Sequence, residues 1–270
     1  MLTTLVIGLI MGLMSGLLAG LFGLGGGVVL VPMLLVWLRV TGWPEDSIMV
    51  SAVATSLASI VFTSAWAVRK HHLRGAVIWS FVRRLAVMIG LGTLLGATFA
   101  RSMPASALKI LFAFYLLVVG LRMIRRVTVS SGAQQAGPVT DAINALIIGA
   151  LSAMLGIGGG TLTVPYLLKR GLVMTQAVAT ASALGFPIAV FGSLGYLFWG
   201  WRDYQSPGYF MAETVLLGIL LGSALATPLA VALAHRLQAE RLRQAFAVVM
   251  LLVAAKLLIP ALQQWLAGGI

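Results

Sequence analysis

The sequence predicts an all-α, polytopic transmembrane bundle of two homologous repeats, and three observations lead to this prediction. Of the 270 residues, 60% are hydrophobic and 9% are charged, with a mean hydropathy of +1.05. A water-soluble globule of that composition would lack the polar surface to cover itself. Long stretches carry no charged residue, and a glycine-rich motif occurs twice. We therefore expect the lipid bilayer to surround most of the chain.

The uncharged stretches have the length of membrane-spanning helices, which need about 20 apolar residues. They cover residues 1–38, 47–68, 85–100, 142–168, 175–201 and 214–234. Residues 1–4 carry no positive side chain, and the first stretch is much longer than the apolar core of a secretory signal. We interpret it as a retained membrane segment.

Internal similarity indicates a duplication. Residues 16–32 match residues 149–165 in their glycines, a valine and a proline. Three further matches follow in the same order, pairing 52–56 with 177–181, 92–96 with 218–222, and 108–113 with 242–247. Four ordered matches are typical of a repeated unit. The predicted organisation is a first repeat at 1–126, a cytoplasmic linker of small and polar residues at 127–139, and a second repeat at 140–270.

Each repeat is predicted to contain one glycine-broken apolar stretch followed by three spanning helices. The spans are expected near 48–68, 85–100 and 105–124, and near 176–200, 211–234 and 244–262. After the first break, a helix from Val28 to Val40 would be about 20 Å long. Since about 30 Å of hydrocarbon must be crossed, this helix is too short to span. Each broken stretch is either a hairpin or re-entrant segment, or one kinked crossing.

The distribution of Lys and Arg distinguishes parallel from inverted repeats, because cytoplasmic loops retain these residues. The densest clusters, assigned to the cytoplasm, are Arg69, Lys70, Arg74, Arg83, Arg84, Arg122, Arg125 and Arg126. If the repeats are inverted, the Lys and Arg clusters of the second half also lie on the cytoplasmic side. If the repeats are parallel, these clusters lie on the opposite side. We predict inverted repeats in a multi-pass protein of the inner membrane, with both termini in the periplasm. We attribute the net charge of +12 to this enrichment of Lys and Arg in cytoplasmic loops. We therefore predict no nucleic-acid partner.

The paired glycine clusters are the candidate substrate site. Each glycine costs about 1 kcal/mol relative to alanine in a helix, so the chain should unwind there. Unwound backbone is tolerated at membrane depth only inside protein or beside a water-filled cavity. The helix that follows each cluster begins with unbonded amides at its positive dipole end, and these can bind an anion. Inverted copies would bring two such helix starts to one site near the membrane midplane. The predicted binding glycines are Gly25, Gly26, Gly27, Gly158, Gly159 and Gly160, with Pro32 and Pro165 structural at the helix breaks.

Hydroxyl groups can complete the shell of an anion without placing a full charge in lipid. Thr55 and Ser56 correspond to Thr180 and Ser182 in the repeats, and Thr161 and Thr163 occur in the second repeat alone. These six are predicted to bind substrate. The alternative, that they bond to carbonyl groups one turn back in their own helices, is equally open. A separate set of glycines at four-residue spacing is assigned to helix packing: Gly8, Gly12, Gly16, Gly20, Gly92 and Gly96.

Few ionisable residues lie inside the predicted spans. Arg84 and Asp141 are expected near the membrane boundary, where Arg84 would anchor the helix; Asp141 could instead carry a coupling proton. The chain has no cysteine, and its three histidines lack metal-site spacing, so no metal or cofactor is predicted. Without an ATP-binding loop, energy would come from a proton or sodium gradient or from the substrate's own gradient.

The paired Gly-x-Gly-Gly-Gly-x-x-x-Val-Pro motifs, each followed by Ala-Val-Ala-Thr, resemble those of the TauE/SafE family of membrane permeases, also called DUF81. The likeness covers nearly the whole chain. It implies a transporter of small sulfur-containing anions such as sulfite or sulfoacetate. One departure is Ala181 at the place that Ser56 occupies in the first repeat, which argues against a hydroxyl contribution at that second-repeat position.

The leading hypothesis is therefore a secondary carrier that works by alternating access. A passive anion channel and a membrane subunit without transport activity are the alternatives. An enzyme would need His, Asp, Glu or Cys clustered at catalytic spacing, and the sequence contains no such cluster. The oligomeric state is left open.

Overall fold

The computed structural model of the protein describes residues 2–22, 26–124, 137–202, 213–234 and 239–266, which form ten α-helices. The first half contains α1 (Leu2–Phe22), α2 (Gly27–Val40), α3 (Glu45–Leu73), α4 (Trp79–Ser102) and α5 (Ala105–Ile124). The second contains α6 (Pro138–Leu155), α7 (Gly160–Lys169), α8 (Met174–Arg202), α9 (Glu213–Ala234) and α10 (Ala239–Leu266). The predicted all-α class is confirmed.

Five of the described helices, α3, α4, α5, α6 and α8, are long and apolar enough to cross a membrane. Shorter apolar segments cover 2–17, 27–40, 215–227 and 247–259. The predicted spans coincide with helices, and α5 has the predicted bounds. The first helix of the second half begins at Pro138, one residue before the predicted end of the linker. Residues 127–136 of that linker lie outside the described part.

Corresponding helices of the two halves make corresponding contacts. Helix α1 packs along α9, and its counterpart α6 packs along α4. Helix α2 packs on α3, as α7 packs on α8, while α3 contacts α8 and α5 contacts α10 across the halves. Each half therefore buries helices against the other half, so that the two halves share one interior.

Glycines allow α4 and α6 to approach closely. A Cβ on Gly92 would overlap the carbonyl oxygen of Leu146 and lie 2.8 Å from its Cα. Such approach strengthens van der Waals packing, which drives helix association in lipid. The packing role is confirmed for five of the six glycines, and the contacts of Gly20 lie outside the described part. The five that meet a facing backbone are Gly8, Gly12, Gly16, Gly92 and Gly96.

Gly92→Ala is expected to destabilise the protein, because the added methyl group would meet main-chain atoms of α6 that cannot rotate away. Overpacking of this kind costs about 1–3 kcal/mol. The measurement is the thermal midpoint of the purified protein in detergent. Leu91→Ala, which shortens an exposed side chain on the same helix, should leave the midpoint near the native value. Native-like midpoints for both variants would contradict the packing role.

Candidate functional site

Both glycine breaks are followed by a short helix. With 14 residues, α2 is about 21 Å long, and α7 with 10 residues is about 15 Å long. Neither covers the roughly 30 Å of a hydrocarbon core. Gly26 and Gly159 immediately precede the two helices, and Gly27 and Gly160 are their first residues. Gly25 lies outside the described residues.

The second break contains a left-handed turn at Gly156. Its φ is 67°, a value that residues with a Cβ rarely adopt. The amide of Gly156 donates to the carbonyl of Ala153 at 3.4 Å, and that of Ile157 donates to Ser152 at 3.0 Å. These two bonds form a glycine cap at the end of α6. The cap ends α6 at Leu155 and leads the chain towards α7.

The two breaks meet in the interior. A Cβ on Gly27 would overlap the carbonyl oxygen of Gly156, and the hydroxyl of Ser56 donates to the same oxygen at 2.7 Å. The side chain of Ile60 lies between the halves, 3.0 Å from the Cβ position of Gly27 and 3.3 Å from that of Gly158. The starts of α2 and α7 are therefore neighbours, although they come from different repeats.

Three buried hydroxyl groups around α7 lack a hydrogen-bond partner within the described part of the chain. Thr163 is fully buried, and its oxygen is 3.1 Å from the Cβ position of Gly159. The hydroxyls of Thr161 and Tyr115 are close enough to interact and can serve as partners for each other, although no hydrogen bond of ordinary geometry joins them. Because buried polar groups are normally bonded, the oxygen of Thr163 indicates a place for a polar ligand at the start of α7.

Thr55 and Ser182 adopt the alternative that the sequence left open. Thr55 donates to the carbonyl of Ser51 at 2.8 Å, and Ser182 donates to that of Val178 at 2.9 Å. Each acceptor lies one turn earlier in the same helix. These hydroxyls are satisfied locally in this conformation.

Ser56 and Thr180 connect distant segments. Ser56 is bonded to Gly156 across the halves, and Thr180 accepts a hydrogen bond of 3.0 Å from the amide of Ile78, which precedes α4. The first amides of a helix have no carbonyl acceptor within the helix, and the amide of Ile78 is one of them. The structure therefore brings Thr161 and Thr163 to the unsatisfied helix start, and gives the other four hydroxyls existing partners.

The remaining predicted residues have structural contacts. The carbonyl of Gly26 accepts a hydrogen bond of 3.0 Å from Ser15 in α1. Pro32 and Pro165 are each the sixth residue of their helix, in its second turn. Since proline has no amide hydrogen, the carbonyl groups four residues earlier lose their usual helical donor. Both prolines therefore interrupt the hydrogen-bond ladder next to a glycine break.

A buried ionic group, the Asp141 cluster, consists of Arg84, Asp141, Tyr166 and Arg170. The Nε of Arg84 lies 3.2 Å from one carboxylate oxygen of Asp141, and both Arg170 and Tyr166 contact the other. The sequence placed Asp141 near the membrane boundary, and the structure adds that protein encloses its side chain, which is 3% exposed. The sequence analysis considered Arg84 and Asp141 separately and did not single out Tyr166 or Arg170. The four-residue spacing of Tyr166 and Arg170, at the end of a short helix, was the available signal.

A second ionic group, the Glu45 cluster, consists of Arg39, Glu45 and Lys109. Glu45 receives contacts of 2.8 Å from Arg39 and 3.1 Å from Lys109. This cluster joins the end of α2 to the starts of α3 and α5, whereas the Asp141 cluster joins the end of α7 to the starts of α4 and α6. Within the described ranges, no group of three His, Asp or Glu residues could hold a metal ion.

The two clusters fix the direction of the short helices. Helix α6 starts at the Asp141 cluster and α7 ends there, so the chain reverses at Gly156 and forms a hairpin. Because α5 follows α4 after a short turn, the starts of α4 and α5 lie at opposite ends of the bundle. The ends of α2 and α7 therefore lie at opposite ends too, while their starts meet in the middle.

Comparison with known proteins gives consistent matches. A family model described as "Sulfite exporter TauE/SafE" matches residues 8–257. A "Probable membrane transporter protein" of Haemophilus influenzae is 30% identical, with 87% of this chain and 90% of that protein covered. One from Xylella fastidiosa strain Temecula1 is 29% identical, covering 87% of each chain. YunE of Bacillus subtilis, also a "Probable membrane transporter protein", is 26% identical over 67% of this chain and 73% of its own. No solved structure matches the chain.

Proposed function

The chain belongs to the TauE/SafE family and is a membrane transporter; on that basis we propose that it is a secondary carrier of a small anion, sulfite or an organosulfonate such as sulfoacetate. The anion binds at the paired starts of α2 and α7, in a protein of the inner membrane. The observation that carries this proposal is the meeting of two glycine-rich helix starts beside the hydroxyl of Thr163, which is buried without a partner among the described residues.

The chemistry of these groups suits an oxyanion. The first-turn amides of α7 have no partner within their own helix and lie at its positive dipole end. Glycine at positions 158–160 leaves these amides unshielded by side chains. The hydroxyl of Thr163, close to Gly159, can donate from the same region. All these donors are neutral, so the anion would be held without a fixed opposite charge and could leave again.

The opposite directions of α2 and α7 support alternating access between two inverted repeats. In many transporters, discontinuous helices from inverted repeats form a midplane site, and one unit moves relative to the other around that site. The end of the bundle that contains the Asp141 cluster also contains the dense Lys and Arg clusters of α3 and α4. We assign that end to the cytoplasm.

Thr163→Val is expected to raise the KM for anion uptake by about tenfold or more, since a hydrogen bond to a charged group is worth about 1.5–3 kcal/mol. Valine has nearly the same shape, and the native hydroxyl has no partner to lose among the residues that the structure describes, so folding should be preserved. The measurement is uptake of labelled sulfite and sulfoacetate into proteoliposomes. Thr93→Val is the matched control, because Thr93 is buried on α4 and donates within its helix to Ile89 at 2.7 Å.

Each outcome of this experiment has a defined meaning. Saturable uptake with counterflow supports a carrier, whereas uptake that never saturates and shows no counterflow indicates the passive channel. Native protein that moves neither anion above protein-free liposomes would refute the proposed substrates. A native KM in Thr163→Val would exclude the start of α7 as the binding position.

A further inference from the structure

The Asp141 cluster has the composition of an oxyanion-binding site that is occupied by a carboxylate of the protein itself. Donors from three side chains on two helices converge on Asp141, which lies on a third. The cluster contains two guanidinium groups and one phenol, the donors that proteins use for carboxylate, sulfonate and phosphate groups. Arg170 also contacts the Tyr166 hydroxyl, at 3.1 Å from Nη2 and 3.2 Å from Nε. The carboxylate of Asp141 thus occupies the position of an anionic ligand.

The charge of the cluster favours a further anion. Among the four side chains of the cluster, the two arginines are positive and Asp141 is negative, so these four side chains sum to one positive charge, with the phenol of Tyr166 neutral. A monoanion would bring this sum to zero. The side chain of Arg84 is 48% exposed, whereas those of Arg170 and Asp141 are 7% and 3% exposed. An anion can therefore reach the cluster first at Arg84.

The position of the cluster connects it to the proposed substrate site. The cluster holds the end of α7, and the start of the same helix lies about 15 Å away at the glycine break. Helix α7 packs mainly on α8 and makes few contacts with α6, so the cluster is a principal polar link between α7 and the α4–α6 pair. Exchange of Asp141 for another anion would loosen that link.

Stability alone explains the cluster poorly. Burying charges costs desolvation free energy, and the attraction between the charges often does not offset this cost. Well-packed apolar residues in place of a buried ion pair commonly give a protein of equal or higher stability. Ionisable residues within membrane proteins are accordingly associated with substrate and ion pathways. The attraction also weakens when water enters, because a higher dielectric constant reduces the Coulomb energy. Such a group can exist in a closed, dry arrangement and an open, hydrated one.

We propose that Arg84 and Arg170 form a second oxyanion site at the end of α7, and that Asp141 fills this site until a substrate anion displaces it. The displacement releases α7 from the α4–α6 pair and opens this end of the protein. The ligand class is a monoanionic sulfite or sulfonate group. This inference rests on the proposed function, because it places the second site on the path to the paired helix starts.

Asp141→Asn provides the most distinctive test, because it removes the internal competitor for the two arginines. We expect the purified full-length variant to bind labelled sulfite at least about tenfold more tightly than the native protein, the gain expected from one charge-assisted contact. Its maximal uptake rate should fall, since the anion is then released slowly. A cluster with a purely structural role would give weaker or unchanged binding, and that result in folded Asp141→Asn would overturn the proposal.

Arg84→Gln tests the proposal independently, because Asp141→Asn leaves the buried guanidinium group of Arg170 without its carboxylate and can fail to fold. We expect Arg84→Gln to raise the KM for sulfite uptake at least about tenfold with little change in maximal rate, and Arg84→Lys to restore part of the affinity. Arg83→Gln removes the same charge from the neighbouring exposed position and should keep the native KM. Equal KM values for Arg84→Gln and Arg83→Gln would overturn the second site.

These outcomes are distinguishable from failure of the proposed function. If native protein neither binds nor transports sulfite or sulfoacetate, the proposed function fails and the inference fails with it. If native protein transports these anions, and the Thr163→Val effect is observed while the Arg84 variants behave like Arg83→Gln, only the second site is refuted. Uptake therefore needs to be established with the native chain first.

Discussion

Gly185→Ala is expected to reduce anion transport by about one to two orders of magnitude while the protein remains folded. A Cβ at Gly185 would lie 3.5 Å from the amide nitrogen of Gly159 and 3.9 Å from the Cβ of Ser64, both ordinary contact distances. The methyl group therefore fits, but it covers an amide that we propose donates to the anion. Loss of one hydrogen bond to a charged group costs about 1.5–3 kcal/mol, which corresponds to the stated range.

The measurement for Gly185→Ala is initial uptake of labelled sulfite into proteoliposomes, accompanied by the thermal midpoint in detergent. Because alanine is favoured over glycine by about 1 kcal/mol inside a helix, the midpoint should stay constant or rise. Gly137→Ala is the control, since nothing lies within 4 Å of its Cβ position. Native transport by folded Gly185→Ala would argue against the Gly159 amide as an anion ligand.

Gly27→Ala is expected to cause the largest loss of folded protein. Its methyl group would overlap the carbonyl oxygen of Gly156 and approach the hydroxyl of Ser56 to 2.9 Å. Gly156 cannot easily move, because it sits in a left-handed turn with its own Cβ position 2.9 Å from the main chain of Val53. The substitution therefore strains the contact between the two glycine breaks and the Ser56 hydrogen bond across it.

The expected destabilisation has two parts. Overpacking costs about 1–3 kcal/mol, and a buried carbonyl that loses its partner costs about 1–3 kcal/mol. Together they are a large fraction of the about 5–15 kcal/mol by which domains are stable. The measurement is the monodisperse fraction after size-exclusion chromatography, together with the thermal midpoint.

Gly158→Ala is the matched control for Gly27→Ala, because its nearest neighbour is a methyl carbon of Ile60 at 3.3 Å. A side-chain methyl can shift by a few tenths of an ångström, so Gly158→Ala should remain folded. If Gly27→Ala is recovered with the native yield and midpoint, the contact between the two breaks does not limit folding.

Much of the helical framework could be predicted because hydropathy and helix propensity are properties of neighbouring residues. Residues 105–124 form a helix with the predicted bounds, since an uninterrupted apolar run in lipid must satisfy its backbone within one helix. The glycine at position 156 ends α6 for an equally local reason. The order of matching motifs also identified which helices correspond.

The partners of the site residues could not be predicted, because they depend on distances between segments far apart in the chain. Nothing local distinguishes Thr55, which bonds within its own helix, from Ser56, which bonds to Gly156 in the other half. Thr163 was one of six candidate hydroxyls, and it is the packing around α7 that leaves its oxygen buried without a partner in the described part of the chain.

The sequence by itself predicted a helical membrane protein with two similar halves and paired glycine motifs, and its resemblance to the TauE/SafE family implied transport, because hydropathy and motifs are properties of neighbouring residues. The tertiary structure decided which hydroxyls remain available at the helix starts and that Arg84, Tyr166 and Arg170 converge on Asp141. The physical reason is that hydrogen bonds and ion pairs form over about 3 Å, and only folding brings residues of different helices within that distance.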